Sequence, residues 1–91
     1  MKTILVTGAS GFIGRFLLKE LLKKGHKVFA LLRQPEQQLV TLKSWLNQQQ
    51  VDSSQLHAIC GDLSQVNAGI SASDWQVMQQ VTVIYHTAAL F

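Results

Sequence analysis

Three glycines near the start of the chain constrain its fold more than any other feature. The segment reads Thr7-Gly8-Ala9-Ser10-Gly11-Phe12-Ile13-Gly14, with a glycine at every third position. Residues 2–7 are mostly β-branched or apolar without polar alternation, which predicts a strand buried on both faces, as in a parallel sheet. The residues after the second glycine have a helical spacing of apolar side chains. The glycines therefore lie where a buried strand turns directly into a helix.

Apolar spacing predicts the first helix and the strand that follows it. Ile13, Phe16, Leu17 and Leu21, with Leu18 and Leu22 beside them, form the stripe of a helix of about three turns. Gly25 has the position expected of the glycine that ends a helix. Residues 27–32 are a second apolar run of strand length, with no polar alternation.

The rest of the chain repeats this alternation. Pro35 begins a second helix that runs to about Gln50, and residues 56–60 form a third strand. A short helix capped by Ser71 or Ser73 follows, and residues 81–86 form a fourth strand. This order predicts an α/β fold, the N-terminal portion of a doubly wound Rossmann fold. We expect a parallel sheet with helices on both faces and a strand order near 3-2-1-4.

Each glycine fits one structural requirement of a phosphate-binding turn. Gly8 suits the tight turn, Gly11 a close approach of backbone to pyrophosphate, and Gly14 the packing of helix against strand. The helix start at Phe12 and Ile13 offers unpaired N–H donors and the positive end of the helix dipole, and Ser10 adds a hydroxyl. The spacing departs from the G-x-G-x-x-G form, and the alternative is that these glycines serve turn and packing alone. The strand-turn-helix context favours a dinucleotide site.

The residues at the end of the second predicted strand indicate which dinucleotide the predicted site would bind. An acid expected there to bind a ribose 2′-hydroxyl is absent between Lys27 and Pro35, and Arg33 offers a cation suited to a 2′-phosphate. Arg15, in the first turn of the first helix, is a second candidate for that phosphate, although both arginines also fit a solvated surface. The sequence therefore favours NADP(H) over NAD(H).

Composition excludes several other classes of protein. The chain has 91 residues, of which 47% are hydrophobic and 14% charged, which indicates at most one globular domain. Its net charge of +3 is mild, and its lysines gather at one predicted helix end, which argues against nucleic acid. One cysteine, Cys60, forms neither a disulfide nor a metal site. The apolar runs are too short for a signal peptide or a membrane helix, so we expect a cytoplasmic protein.

Four motifs together resemble one family over nearly the whole chain. They are the glycine segment 7–18, the strand end Leu31-Leu32-Arg33, the stretch from Gly61-Asp62-Leu63-Ser64 to Trp75, and Val83-Ile84-Tyr85-His86-Thr87-Ala88-Ala89. The chain resembles the N-terminal part of an extended short-chain dehydrogenase/reductase. It is most similar to the thioester reductase domains and fatty acyl-CoA reductases of the male-sterility type. The stretch that reaches Trp75 distinguishes this subfamily.

The resemblance implies further cofactor contacts. Asp62 and Leu63 would flank the adenine, and Ala88 and Ala89 would line the dinucleotide near the ribose and pyrophosphate. The family's catalytic pair is a tyrosine followed four residues later by a lysine, but Tyr85 is followed by Ala89. We therefore interpret Tyr85 as a residue that packs in the core or within the fourth strand, and we assign no catalytic residue within these 91 positions.

The resemblance implies that residues 1–91 are part of a larger NAD(P)-binding domain. Its parent would be an NADP(H)-dependent oxidoreductase that transfers hydride to a carrier-bound or coenzyme-A thioester. Two alternatives stay open, a non-catalytic NADP(H)-binding regulatory module and a fragment of another extended reductase or epimerase. The fourth strand would then be an exposed apolar edge, covered by the missing C-terminal part or by a second copy.

Overall fold

Strands and helices alternate along the chain in the computed structural model, which describes residues 2–9, 11–61 and 72–86. The elements in order are β1 (Thr3–Thr7), α1 (Phe12–Lys23), β2 (Lys27–Leu32), α2 (Pro35–Gln48), β3 (Leu56–Cys60), α3 (Ala72–Val77) and β4 (Val83–His86). A 3₁₀ turn, Met78–Gln80, continues from α3. Strands β2 and β3 have the bounds that the sequence predicted, and α2 ends two residues earlier than predicted.

The four strands form one parallel sheet in the order β3-β2-β1-β4, which confirms the predicted topology. In this register Thr7 pairs with Leu31 of β2 and with His86 of β4. Leu32 pairs with Cys60 of β3. The carboxyl ends of all four strands therefore meet at one edge of the sheet, where ligands bind in open α/β folds.

Both faces of the sheet carry buried apolar side chains, because successive side chains of a strand point to opposite sides. On one face Ile4, Val6, Val28, Ala30 and Leu32 pack against buried leucines of α1 and α2. On the other face a smaller cluster joins residues of three strands to the 3₁₀ turn after α3. Its buried members are Leu5, Phe29, Leu31, Ile59 and Met78.

The buried stripe of α1 is rotated from the predicted one. The buried positions are Gly14, Leu18, Leu21 and Leu22, whereas Ile13 is 73% exposed and Phe16 42% exposed. The prediction was wrong at the start of the helix because it counted apolar side chains only. Gly14 has no side chain, yet it is buried where α1 packs on the turn that follows β1. Once Gly14 is included, the spacing i, i+4, i+7, i+8 is that of an ordinary helix face.

Strand β4 is a terminal strand of the described sheet, with β1 as its neighbour. Tyr85 belongs to this strand, as predicted. Because Ile84 is 64% exposed and Tyr85 41% exposed, neither side chain is part of the buried core. The expected apolar edge is present, and its cover by a C-terminal continuation or by a second copy stays a prediction. No helix within the described ranges has the length and apolar character needed to cross a membrane.

Candidate functional site

The glycine turn is built from backbone contacts at the carboxyl end of β1. Gly8 has φ +71°, in the left-handed region that favours glycine. The Gly11 N–H donates to the Gly8 carbonyl over 3.1 Å, which closes the turn. Gly11 is then extended, with φ −75° and ψ 171°, and α1 begins at the next residue. The sequence therefore predicted the strand-turn-helix geometry correctly.

The other two glycines keep space that a side chain would fill. A Cβ at position 11 would lie 3.3 Å from the Gly8 carbonyl oxygen, a tight contact. A Cβ at position 14 would overlap that same oxygen and lie 2.8 Å from the Ala9 Cα. Gly14 thus lets the first turn of α1 rest on the turn that follows β1. The positive φ at Gly8 and the missing Cβ atoms at Gly11 and Gly14 are the backbone features that a phosphate-binding turn requires, so the residues present are compatible with a dinucleotide.

The N-terminus of α1 favours an anion. The first N–H groups of a helix have no partner within the helix, and Gly11 as N-cap has no side chain to occupy them. The first turn contains no acidic residue, so the positive end of the helix dipole is not neutralised there. The side chains of Phe12 and Ile13 are exposed at this end. Their backbone donors are therefore the groups available to a phosphate.

Arg33 follows β2 beside the glycine turn. Since Thr7 pairs with Leu31, Arg33 lies two residues past the last residue of β2 that is paired with β1. Its side chain is exposed, and its carbonyl accepts a hydrogen bond from the Cys60 Sγ over 3.9 Å. The preceding Leu32 carbonyl accepts the Gly61 N–H over 3.0 Å. Two residues at the end of β3 thus hold the backbone from which the Arg33 side chain extends.

Arg15 lies against α2. Its guanidinium carbon is 5.6 Å from the ring centroid of Trp45, in a cation–π contact. It also lines a cavity of about 270 Å³ with residues of the first turns of α2, Gln37, Gln38, Thr41 and Leu42. Phe16 stacks edge-on against Trp45, with ring centroids 5.4 Å apart. The arginine is therefore half-buried between two helices, a placement that its sequence position alone did not indicate.

Gln38 is a residue of this site that the sequence reasoning missed. Its side-chain Oε1 accepts the Gln34 N–H over 2.9 Å, and its own N–H donates to the Gln34 carbonyl over 2.9 Å. In a capping box the glutamine that returns to the N-cap residue stands at the third helical position, which is Gln37 here, whereas Gln38 is the fourth. Residue type and spacing therefore gave no signal for this contact.

Five predicted cofactor residues lie outside the described residues, namely Ser10, Asp62, Leu63, Ala88 and Ala89. Asp62 and Leu63 follow the end of β3, and the two alanines follow the end of β4. Both strands end at the edge that carries the glycine turn. Their roles stay predictions.

Residues 6–91 match the NAD-binding family described as male sterility protein. The chain belongs to this family. The match includes the glycine turn and the strands β2, β3 and β4. As a member of the male sterility protein family, the chain is an NAD(P)-binding domain of the type that reductases contain. The predicted resemblance is thereby confirmed.

Curated relatives match almost the whole chain. The L-2-aminoadipate reductase large subunit of Penicillium chrysogenum is 32% identical over 97% of this chain. A linear gramicidin synthase subunit of Brevibacillus parabrevis is 38% identical over 94% of it. The chain spans only 7% and 2% of the length of these two relatives.

Solved structures of reductases share the fold. The yeast methylglyoxal/isovaleraldehyde reductase Gre2, solved with NADPH, superposes with a TM-score of 0.76 at 24% identity, over 98% of this chain and 25% of its own. An actinorhodin polyketide ketoreductase, also solved with NADPH, gives a TM-score of 0.73 at 26% identity, over 98% of this chain and 33% of its own.

Proposed function

We propose that this chain is the NADP(H)-binding portion of a thioester reductase-like oxidoreductase. In this proposal residues 1–91 are the first part of a larger Rossmann domain, and the whole protein acts in the cytoplasm. When bound, the reduced dinucleotide supplies the hydride. The residues of this chain bind and orient it, and the catalytic acid belongs to another part of the protein.

The observation that carries the proposal is the glycine turn at the carboxyl end of β1, an inner strand of the sheet. Gly8 adopts a positive φ, Gly11 has no Cβ beside the Gly8 carbonyl, and Gly14 lets α1 pack directly against that carbonyl. In the proposed complex the N–H groups at the start of α1 donate to the pyrophosphate, and Gly11 has no side chain that would keep the phosphates at a distance. Ser10, Asp62, Leu63, Ala88 and Ala89 complete the proposed site.

The proposed preference for NADP(H) rests on charge at the end of β2. Arg33 is exposed at that end, and the sequence between Lys27 and Pro35 contains no carboxylate to bind a ribose hydroxyl. Arg15 brings a second cation to the start of α2, where it lines the cavity beside Gln38. A guanidinium binds a phosphate dianion through charge-assisted hydrogen bonds, which the 2′-hydroxyl of NAD(H) does not provide.

The proposed substrate class comes from the relatives. Two of them that match over nearly the whole chain are an aminoadipate reductase and a gramicidin synthase component, and a carboxylic acid reductase of Segniliparus rugosus is 26% identical over 99% of it. A thioester of a carrier protein or of coenzyme A is the acyl form that we propose for the whole protein. Consumption of NADPH by the full-length gene product with an acyl thioester, and none with the free acid, would support this proposal.

The cofactor proposal is tested by titration calorimetry of the chain with NADPH and NADH. We expect tighter binding of NADPH, and loss of that preference in Arg33→Ala, because a hydrogen bond to a charged group contributes about 1.5 to 3 kcal/mol. Lys43→Ala removes one positive charge from α2 without altering the end of β2, and is the control for net charge. Equal affinities for the two dinucleotides in the unaltered chain would refute the preference.

A further inference from the structure

The backbone around Arg33 is held at three consecutive residues. The carbonyls of Leu32 and Arg33 accept hydrogen bonds from Gly61 and Cys60 at the end of β3. The third contact comes from α2, where the Gln38 side chain accepts the Gln34 N–H over 2.9 Å. The N–H and the carbonyl of Gln34 are therefore both bound to Gln38.

The contact from Gln38 has a direct effect on Arg33. The Gln34 N–H belongs to the planar peptide unit that follows the Arg33 Cα, so a hydrogen bond that fixes this plane also fixes the ψ angle of Arg33. The same plane contains the carbonyl carbon of Arg33, so holding it relative to the sheet, with the N and Cα of Arg33 following directly from β2, also sets the direction of the Cα–Cβ bond. An arginine has many rotamers, and a fixed starting direction reduces the entropy lost when its guanidinium binds a ligand.

We propose that Gln38 is a positioning residue for Arg33, and that it strengthens the preference for NADPH over NADH without contacting the cofactor. This inference rests on the proposed role of Arg33 as the ligand of the 2′-phosphate. The hydrogen bond is exposed, so water replaces the lost acceptor when Gln38 is substituted. The fold is therefore retained in such variants, while the peptide plane after Arg33 keeps only the weaker contact from the Cys60 Sγ to the Arg33 carbonyl.

The test compares Gln38→Met with Gln48→Met by calorimetric titration of NADPH and NADH. Methionine preserves the length of the side chain but has no amide oxygen, and Gln48 lies at the other end of α2, about 15 Å away. For Gln38→Met we expect the Kd of NADPH to rise about three- to tenfold and that of NADH to change less than twofold. Gln48→Met should change neither.

A second measurement reports on the hydrogen bond itself. Amide exchange of the Gln34 N–H should accelerate in Gln38→Met and remain slow in Gln38→Glu, which keeps an acceptor oxygen at the same length. Unchanged exchange in Gln38→Met would overturn the inference, because the proposed contact would then not exist in solution. An equal loss of affinity for both dinucleotides, or no loss for either, would overturn it as well.

The Arg33→Ala variant separates this inference from the proposed function. If Arg33→Ala leaves the affinity for NADPH unchanged, the proposed cofactor preference fails and the role of Gln38 fails with it. If Arg33→Ala weakens NADPH binding and Gln38→Met does not, only the positioning role is refuted. In the Arg33→Ala background, Gln38→Met should have no further effect on NADPH affinity, since the two residues would act on the same phosphate contact.

Discussion

The substitution Gly14→Ala should destabilise the fold, although alanine is normally the better helix former. The added Cβ would overlap the Gly8 carbonyl oxygen and lie 2.8 Å from both the Gly8 carbonyl carbon and the Ala9 Cα. All three are backbone atoms, so no flexible side chain can move aside. Alanine gains at most about 1 kcal/mol of helix propensity over glycine. Overpacking costs about 1 to 3 kcal/mol and sometimes more, and against backbone we expect the upper end.

The net loss should be about 2 kcal/mol of unfolding free energy, or a Tm lower by about 10 °C for a chain of this size. Urea unfolding followed by far-UV circular dichroism measures it. Gly25→Ala is the matched control, because Gly25 has φ +82° but a Cβ there meets nothing within 4 Å. It should lose about 1 to 2 kcal/mol through backbone strain alone. If Gly14→Ala were as stable as the unaltered chain, the close contact of α1 with the glycine turn would be refuted.

Two further predictions concern binding and pH. Gly11→Val should abolish dinucleotide binding in calorimetry while leaving the far-UV circular dichroism nearly intact, because its side chain would occupy the space proposed for the pyrophosphate; unchanged affinity would count against the turn as a phosphate site. The pKa of His57 is lowered by burial and, to a smaller extent, by the charges of Lys27 and Lys43, so the folded state favours the neutral ring. The contribution of His57 to the free energy of unfolding should therefore be fully present above the unfolded-state pKa of about 6.5 and decrease as the pH falls below it. In urea titrations between pH 5 and 8, His57→Gln should reduce this dependence of the unfolding free energy on pH.

The strands were predictable because a parallel sheet buries both faces of its inner strands. In β2, Val28 to Leu32 are all buried, so a run of apolar residues without alternation carries the whole signal. The terminal strand β4 has a similar run, yet Ile84 and Tyr85 are exposed. Hydropathy reports what a strand is able to bury, whereas its position in the sheet decides what it does bury. Of the two alternatives predicted for Tyr85, packing in the core and packing in a strand, its exposure excludes the first and its place in β4 agrees with the second.

The site was predictable only where a backbone requirement selects the residue type. A positive φ at Gly8 and the tight approach at Gly14 leave glycine as the residue that fits, so the sequence itself carries these positions. The residue type alone does not indicate the direction in which a side chain points. The contact of Arg15 with Trp45 depends on how α1 and α2 pack together, and the bond from Gln38 to Gln34 depends on a rotamer. Neither could be inferred from residue type and spacing.

Gly11 and Gly14 have separable tasks within the same turn. Gly14 permits contact between α1 and the residues after β1, so its substitution changes the fold and the site together. At position 11 a Cβ would meet, among the residues that the structure describes, the Gly8 oxygen at 3.3 Å, and the backbone angles suit any residue. Its replacement can therefore alter the ligand space while the helix and sheet persist. The turn is already closed by the bond from the Gly11 N–H to the Gly8 carbonyl, so a dinucleotide would meet donors that need little ordering. A loss of binding in Gly11→Val would thus report the space beside the turn, whereas a loss in Gly14→Ala would not distinguish that space from the fold.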